Sequence, residues 1–147
     1  MSELSWENDL ALGDAGESAI YKLIGDAEAI VTTGFFKDYD IILNDGRTIE
    51  VKTDAKMHKT GNHIVEYGCN GELSGIAATK AEFWVVLDGE LAYFCHSKDI
   101  KDKARDGVRK EWVSHEGKKM RGSLLDKNTF LPLCRKIYQC KVDISGR

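Results

Sequence analysis

At 147 residues the chain is long enough for one domain with a real core and too short for a catalytic domain joined to a separate recognition domain. It is 42% hydrophobic and 31% charged, with no apolar run near the roughly 20 residues that span a bilayer, so a membrane helix is excluded and a soluble cytoplasmic protein is expected. The net charge of −3 hides a split: residues 1–97 hold 7 Lys/Arg against 17 Asp/Glu, and residues 98–147 hold 14 against 7.

The start, Met-Ser-Glu-Leu-Ser-Trp-Glu, lacks a basic region followed by an apolar stretch, so no signal peptide is expected. Leu4 to Gly25 has a helical pattern that gathers Leu10, Ile20, Tyr21, Leu23 and Ile24 on one face. Glu17 falls inside it, a surface glutamate unless this helix packs across the open side of the hairpin that follows. Ala27 to Phe36 reads as a link or short strand. Asp38-Tyr39-Asp40 then offers two acids. Asp40 adjoins the Ile41-Ile42-Leu43 run and is the better held of the two, with Asp38 the second choice.

Tyr39 to Lys52 reads as two strands joined at Asn44-Asp45-Gly46, where glycine supplies the positive φ of a hairpin turn. The second strand ends Glu50-Val51-Lys52. Side chains alternate along a strand, so Glu50 and Lys52 share one face while Val51 enters the core. Thr53 to Asn62 is expected to be a strand end and an exposed turn. His63 to Tyr67 alternates as a third strand, expected antiparallel to the Glu50 strand, with Ile64 and Glu66 on one face. Glu66 is then a further acid for the same region, or an exposed strand carboxylate.

Gly68 to Gly75 is a loop in which Ser74 is placed to cap a helix over Ile76 to Ala81, a helix start suited to a phosphate. Phe83 to Leu87 has the pattern of a strand buried on both faces, and Leu91 to Cys95 returns from it as a hairpin. Ser97 opens an expected helix from Lys98 to Trp112. His115 to Ser123 reads as a mobile basic loop carrying Lys118, Lys119 and Arg121, equally suited to phosphate contact or to plain solvation. Pro132 stands near the start of an expected last helix, Leu131 to Gln139. The cysteines at 69, 95, 134 and 140 form no Cys-x2-Cys pair and read as reduced thiols.

Asp40, Glu50 and Lys52 in this order have a chemical use. Two hard oxygen donors can hold a divalent cation and an adjacent amine can steady a water. The bland alternative is a surface hairpin with a Glu50–Lys52 ion pair worth at most ~1 kcal/mol. Asp40 and Glu50 would then crowd like charges near one lysine, which is costly without a cation.

The succession of Asp40, the hairpin, Glu50-Val51-Lys52, Ser74-Gly75-Ile76 and Trp84 to Leu87 resembles the PD-(D/E)XK nuclease superfamily, and more narrowly its small phage endonucleases and Holliday-junction resolvases. The resemblance covers residues 10–95. Tyr39 stands where the family has its proline. The resemblance implies an α/β fold with a restriction-endonuclease-like core, a central mixed β-sheet flanked by helices in α-β-β-β-α-β order, within a single domain. Residues 98–147 would form a basic extension. It implies that Asp40 and Glu50 bind Mg²⁺ or Mn²⁺, with the Val51 carbonyl and Glu17 as further ligands and Glu66 or Asp38 as an additional acid. Lys52 would act on the attacking water or on the charged transition state. DNA, with RNA left open, would be the partner, met by Ser74, Lys118, Lys119 and Arg121, and the enzyme would be a homodimer. Two other classes are a non-cleaving nucleic-acid-binding module on the same fold and an unrelated α/β protein in which the hairpin is incidental.

Overall fold

The computed structural model describes residues 15–26, 29–31 and 38–143. Residues 15–24 are helical, α1, and the earlier part of the expected first helix lies outside the described residues. Three strands follow, β1 (Ile30–Val31), β2 (Ile41–Ile42) and β3 (Thr48–Thr53). They form an antiparallel meander, with Ile30 opposite Ile42 and Ile41 opposite Ile49. The β2–β3 turn closes as its sequence requires: Leu43 N donates to Arg47 O at 2.8 Å, and Gly46 takes φ +91°.

A short helix α2 (Met57–Thr60) leads to β4 (His63–Cys69) and β5 (Glu72–Leu73). A 3-10 turn over Gly75–Ala77 then precedes β6 (Phe83–Leu87) and β7 (Leu91–His96). Helix α3 (Ser97–Ala104), strands β8 (Val108–Val113) and β9 (Lys119–Leu125), helix α4 (Lys127–Phe130), a second 3-10 turn and β10 (Cys134–Gln139) complete the described chain.

The strands form two sheets. The larger has the order β1-β2-β3-β6-β7-β10, and the smaller β5-β4-β9-β8. Within the larger, β6 runs parallel to β3 with Glu50 opposite Trp84 and Lys52 opposite Val86; its other pairs are antiparallel. The protein is therefore mixed α/β with a mixed sheet.

Alternation along the central strands makes two cores, one on each face of that sheet. Ile49, Val51, Val85 and Leu87 pack with Ile20 of α1 on one face, and Trp84 and Val86 pack with Val65, Leu125, Ile100 and Phe130 on the other. Helix α1 approaches β3 closely because residue 16 has no side chain. A Cβ there would lie 2.6 Å from Thr53 Cγ2 and 3.9 Å from Val51 Cγ1. No described helix is long and apolar enough to cross a membrane.

Several local expectations are corrected. His63 to Tyr67 is a strand, but it does not pair with the Glu50 strand, because β2 and β6 occupy both edges of β3. Gly61, at φ +75°, ends α2 and sends β4 into the second sheet instead. The segment after Ser74 is a 3-10 turn rather than a helix over residues 76–81, and the Ser74 side chain makes no capping bond. The helix expected to reach Trp112 stops at Ala104, since Asp106 and Gly107 turn the chain and Val108–Val113 pairs with β9. The supposed basic loop is largely β9, and the supposed last helix is largely β10, which pairs with the edge of β7. Residues beyond 97, read from sequence as a basic extension, thus supply strands to both sheets.

Candidate active site

The site grows from the point where β2 ends. The β2–β3 ladder stops at Ile41 opposite Ile49, and Asp40 continues it by other means. Its backbone N–H donates to Ile49 O at 2.8 Å, and its Oδ2 accepts the Val51 N–H at 2.7 Å. That clamp holds a carboxylate with only 3% exposure against the middle of Glu50-Val51-Lys52. The N–H and C=O of one strand residue point to the same edge, so the Val51 carbonyl also faces the Asp40 side.

Glu50 and Lys52 emerge from the opposite face to Val51, as alternation predicts. Glu50 Oε2 lies 3.5 Å from Lys52 Nζ. Its Oε1 lies 3.1 Å from Thr79 Oγ1, a hydroxyl also 3.2 Å from Asp38 O that accepts the Ala81 N–H at 3.1 Å. Burial pushes the Glu50 carboxyl above its usual range; nearby Lys52 opposes this, Asp40 adds to it, and the Thr79 hydrogen bond lowers it again. Like charge close by and partial removal from water act in the same direction.

Lys52 has a second neighbour, since its Nζ sits 5.4 Å from the centroid of the Trp84 ring. Behind that ring runs a chain of buried polar groups. Trp84 Nε1 donates to His63 Nε2 at 3.2 Å, and His63 Nδ1 lies 2.9 Å from Asp54 Oδ2. An indole N–H can only donate, so His63 Nε2 accepts, and the ring carries its proton on Nδ1, toward Asp54.

Glu50, Lys52 and Thr79 open onto a cleft of about 700 Å³ between the large sheet and the β4–β5 hairpin. Asp38, Glu66, Ser74 and Lys118 line it too. Gly75 makes its wall possible: at φ +50° it packs so close to Glu66 O that a Cβ would collide with that oxygen. The Ser74 Oγ in this wall is buried and has no hydrogen-bond partner among the described residues.

The cleft does not gather every residue singled out by sequence. Asp40 lies buried at the β3 edge. Glu17 rides on α1, which covers the Val51 and Thr53 face rather than that of Glu50 and Lys52. Arg121 is on β9 with its guanidinium against Gly68, where a Cβ would lie 3.0 Å from Nε. Lys119 is an exposed residue of the same strand. Lys118 is paired with Glu116 at 3.0 Å, and that contact is the main reason its ammonium is held above the usual lysine range.

Among the described residues no three His, Cys, Asp or Glu side chains are grouped for a metal. The donor set at this place is two carboxylates and a backbone carbonyl. Sequence reasoning missed Thr79 and the Asp54–His63–Trp84 chain, because Thr79 is 29 residues from Glu50 and Trp84 is 21 from His63. Fold and site define a mixed α/β protein with an acidic, lysine-bearing cleft beside a parallel strand pair. No protein-family model and no curated protein matches the chain.

Proposed function

We propose that this protein is a metal-dependent endonuclease that hydrolyses phosphodiester bonds in DNA, on a restriction-endonuclease-like core. The observation that carries the reading is the Asp40 clamp, which sets one carboxylate against Val51 so that two acids and an amine flank a single strand residue. The antiparallel β2-β3 pair and the parallel return of β6 beside β3 support the core resemblance, whereas the strand it expects next to β3, β4, lies in the second sheet and the helix it expects after Ser74 is a 3-10 turn.

Asp40, Glu50 and the Val51 carbonyl would hold Mg²⁺ or Mn²⁺. Hard oxygens suit these ions, and one or two carboxylates suffice because Mg²⁺ keeps several waters and takes phosphate oxygens as its other ligands. Glu50 supports this reading: burial raises its carboxyl, Lys52 opposes the shift and Asp40 adds to it, and a cation would relieve that last repulsion. When bound, such an ion lowers the pKa of a coordinated water and offsets charge on the phosphate. Lys52, held between Glu50 and the Trp84 face, orients the attacking water and stabilises charge as the phosphodiester becomes pentacovalent. Thr79 fixes the Glu50 carboxylate by its hydroxyl. Glu66 and Asp38 are the additional acids of the cleft and Lys118 its contact to the nucleic acid; the Ser74 hydroxyl is buried in the wall and drops out of that role, and Glu17 ranks behind the acids as a ligand because of the face it occupies.

The enzyme would act in the cytoplasm as a homodimer on branched or two-fold symmetric DNA, each subunit cutting one strand. The test is a panel of linear duplex, single strand, flap, four-way junction and supercoiled plasmid, with an RNA arm. Each is incubated with Mg²⁺, Mn²⁺ or chelator alongside Glu50→Gln. Cutting is expected only with metal and only with Glu50. A protein that binds a substrate and cuts none of them is instead a binding module.

A further inference from the structure

A second cleft, of about 360 Å³, adjoins the first, and the two share Lys52 and Glu66. Its far wall is the open face of the small sheet. The strand register puts Ile64, Leu124 and Val108 in one row of that face and Glu66, Gly122 and Lys110 in the next, with Trp112 opposite Met120 beyond them. The Trp112 indole reaches back over Gly122, where a Cβ would lie 3.0 Å from its Cη2 and 3.1 Å from Ile64 Cγ2. Glycine leaves the space in which the ring lies.

Trp112 belongs to neither core cluster, unlike Trp84, which is 1% exposed. It is a half-buried ring in the wall of a cleft whose other side carries Lys52 and Lys56. Of the acids at this cleft, Asp54 is turned to His63, and Glu66 stands on the rim shared with the first cleft. An aromatic ring beside two ammonium groups is the composition of single-strand nucleic-acid sites, where bases stack on rings and cations meet the backbone. A paired base inside a duplex has both faces covered by its neighbours. Only an unpaired one can offer a face to the indole.

We infer that Trp112 is a stacking platform for an unpaired nucleobase next to the phosphodiester at Lys52, so that the substrate is single-stranded or locally opened nucleic acid. The inference rests on the nuclease reading for the role of Lys52, and on the cleft itself for the role of Trp112.

Binding is measured in chelator, with short labelled DNA and RNA single strands, the corresponding blunt duplex, and single strands carrying one abasic site moved along the sequence. Trp112→Ala is expected to bind the single strand about tenfold more weakly, the size of one lost base stack, and the duplex unchanged; Trp112→Phe retains most of the affinity. One abasic position should cost the wild type the same factor and cost Trp112→Ala nothing. That comparison is made within each protein, so a destabilised variant does not imitate it, and the arm that shows it separates DNA from RNA. Equal binding of every oligonucleotide by wild type and Trp112→Ala, or an equal abasic penalty in both, overturns the platform. If metal-dependent, Glu50-dependent cutting persists in that case, only the platform is lost. If nothing is bound and nothing is cut, the nuclease reading fails together with it.

Discussion

Two polar clusters meet the Trp84 side chain from different directions, and they are built in opposite ways. The one behind it is closed. Asp54 accepts a hydrogen bond from His63 Nδ1–H on one oxygen and from the Met57 N–H, at 3.2 Å, on the other, and His63 Nε2 accepts one from the indole N–H. Each buried group in that chain has a partner, which is how a core accommodates a histidine of 1% exposure. In front, Glu50 and Lys52 open on a cleft, with the Asp40 carboxylate buried beside them. A satisfied polar chain contributes stability and a unique packing. The other holds a Glu50 carboxyl that burial pushes above its usual range, the kind of perturbed group that gathers at functional sites.

The comparison breaks most visibly if the front cluster turns out to be structural. Glu50→Gln and Lys52→Ala are each expected to lower cleavage by at least about 10²–10³-fold, the scale of removing one charge-stabilising group. Glu50→Gln should leave the urea midpoint unchanged or raised, since it removes a half-buried charge that burial and Asp40 both disfavour. A large loss of stability with the loss of activity would place Glu50 with the structural cluster instead.

The rear cluster should show the reverse. His63→Ala leaves a cavity beside Phe130 and strands both the indole N–H and an Asp54 oxygen, so a loss of about 3 kcal/mol in unfolding free energy is expected. Metal-dependent cutting, measured well below the lowered melting temperature, should persist within severalfold. Loss of cutting in a folded His63→Ala protein would show that the two clusters act as one.

The front cluster was legible in the sequence because it is local. Asp40 and Val51 are 11 residues apart, a turn residue and strand alternation join them, and a period of two sends Glu50 and Lys52 to one side. The rear cluster depends on β4 leaving the large sheet, which no local pattern dictates once both edges of β3 are taken. The strands β8 and β10 escaped for a related reason. Arg109-Lys110-Glu111 and Arg135-Lys136 are exposed charges compatible with helix or strand, and the partners β9 and β7 decide between them. The buried strand Phe83–Leu87 needed no such help, because apolar residues on both faces have few other places to go.

Thr79 offers a finer test of the front cluster. Thr79→Val removes the hydroxyl shared among Glu50, Asp38 O and the Ala81 N–H while keeping the shape. A fall in cleavage rate of about tenfold is expected, the lower end of the worth of one hydrogen bond to a charged group. An unchanged rate would mean that Lys52 and Asp40 suffice to hold the carboxylate.

The smallest effect, and the one that separates the cleft from the surface around it, concerns the basic residues of β9 and its turn. Lys118 lines the cleft although Glu116 partly neutralises it, whereas Arg121 lies over Gly68 and Lys119 is exposed outside. If the phosphate backbone enters the cleft, neutralising all three should weaken binding severalfold and flatten its salt dependence. Lys118→Ala alone should account for most of that change, about one unit of slope for one phosphate contact. An equal share from Arg121→Ala would draw the nucleic acid across the open edge of the small sheet. An unaltered slope in the triple variant would leave this strand to solvent, and Lys52 with the residues at the Trp112 cleft would have to carry the backbone contacts.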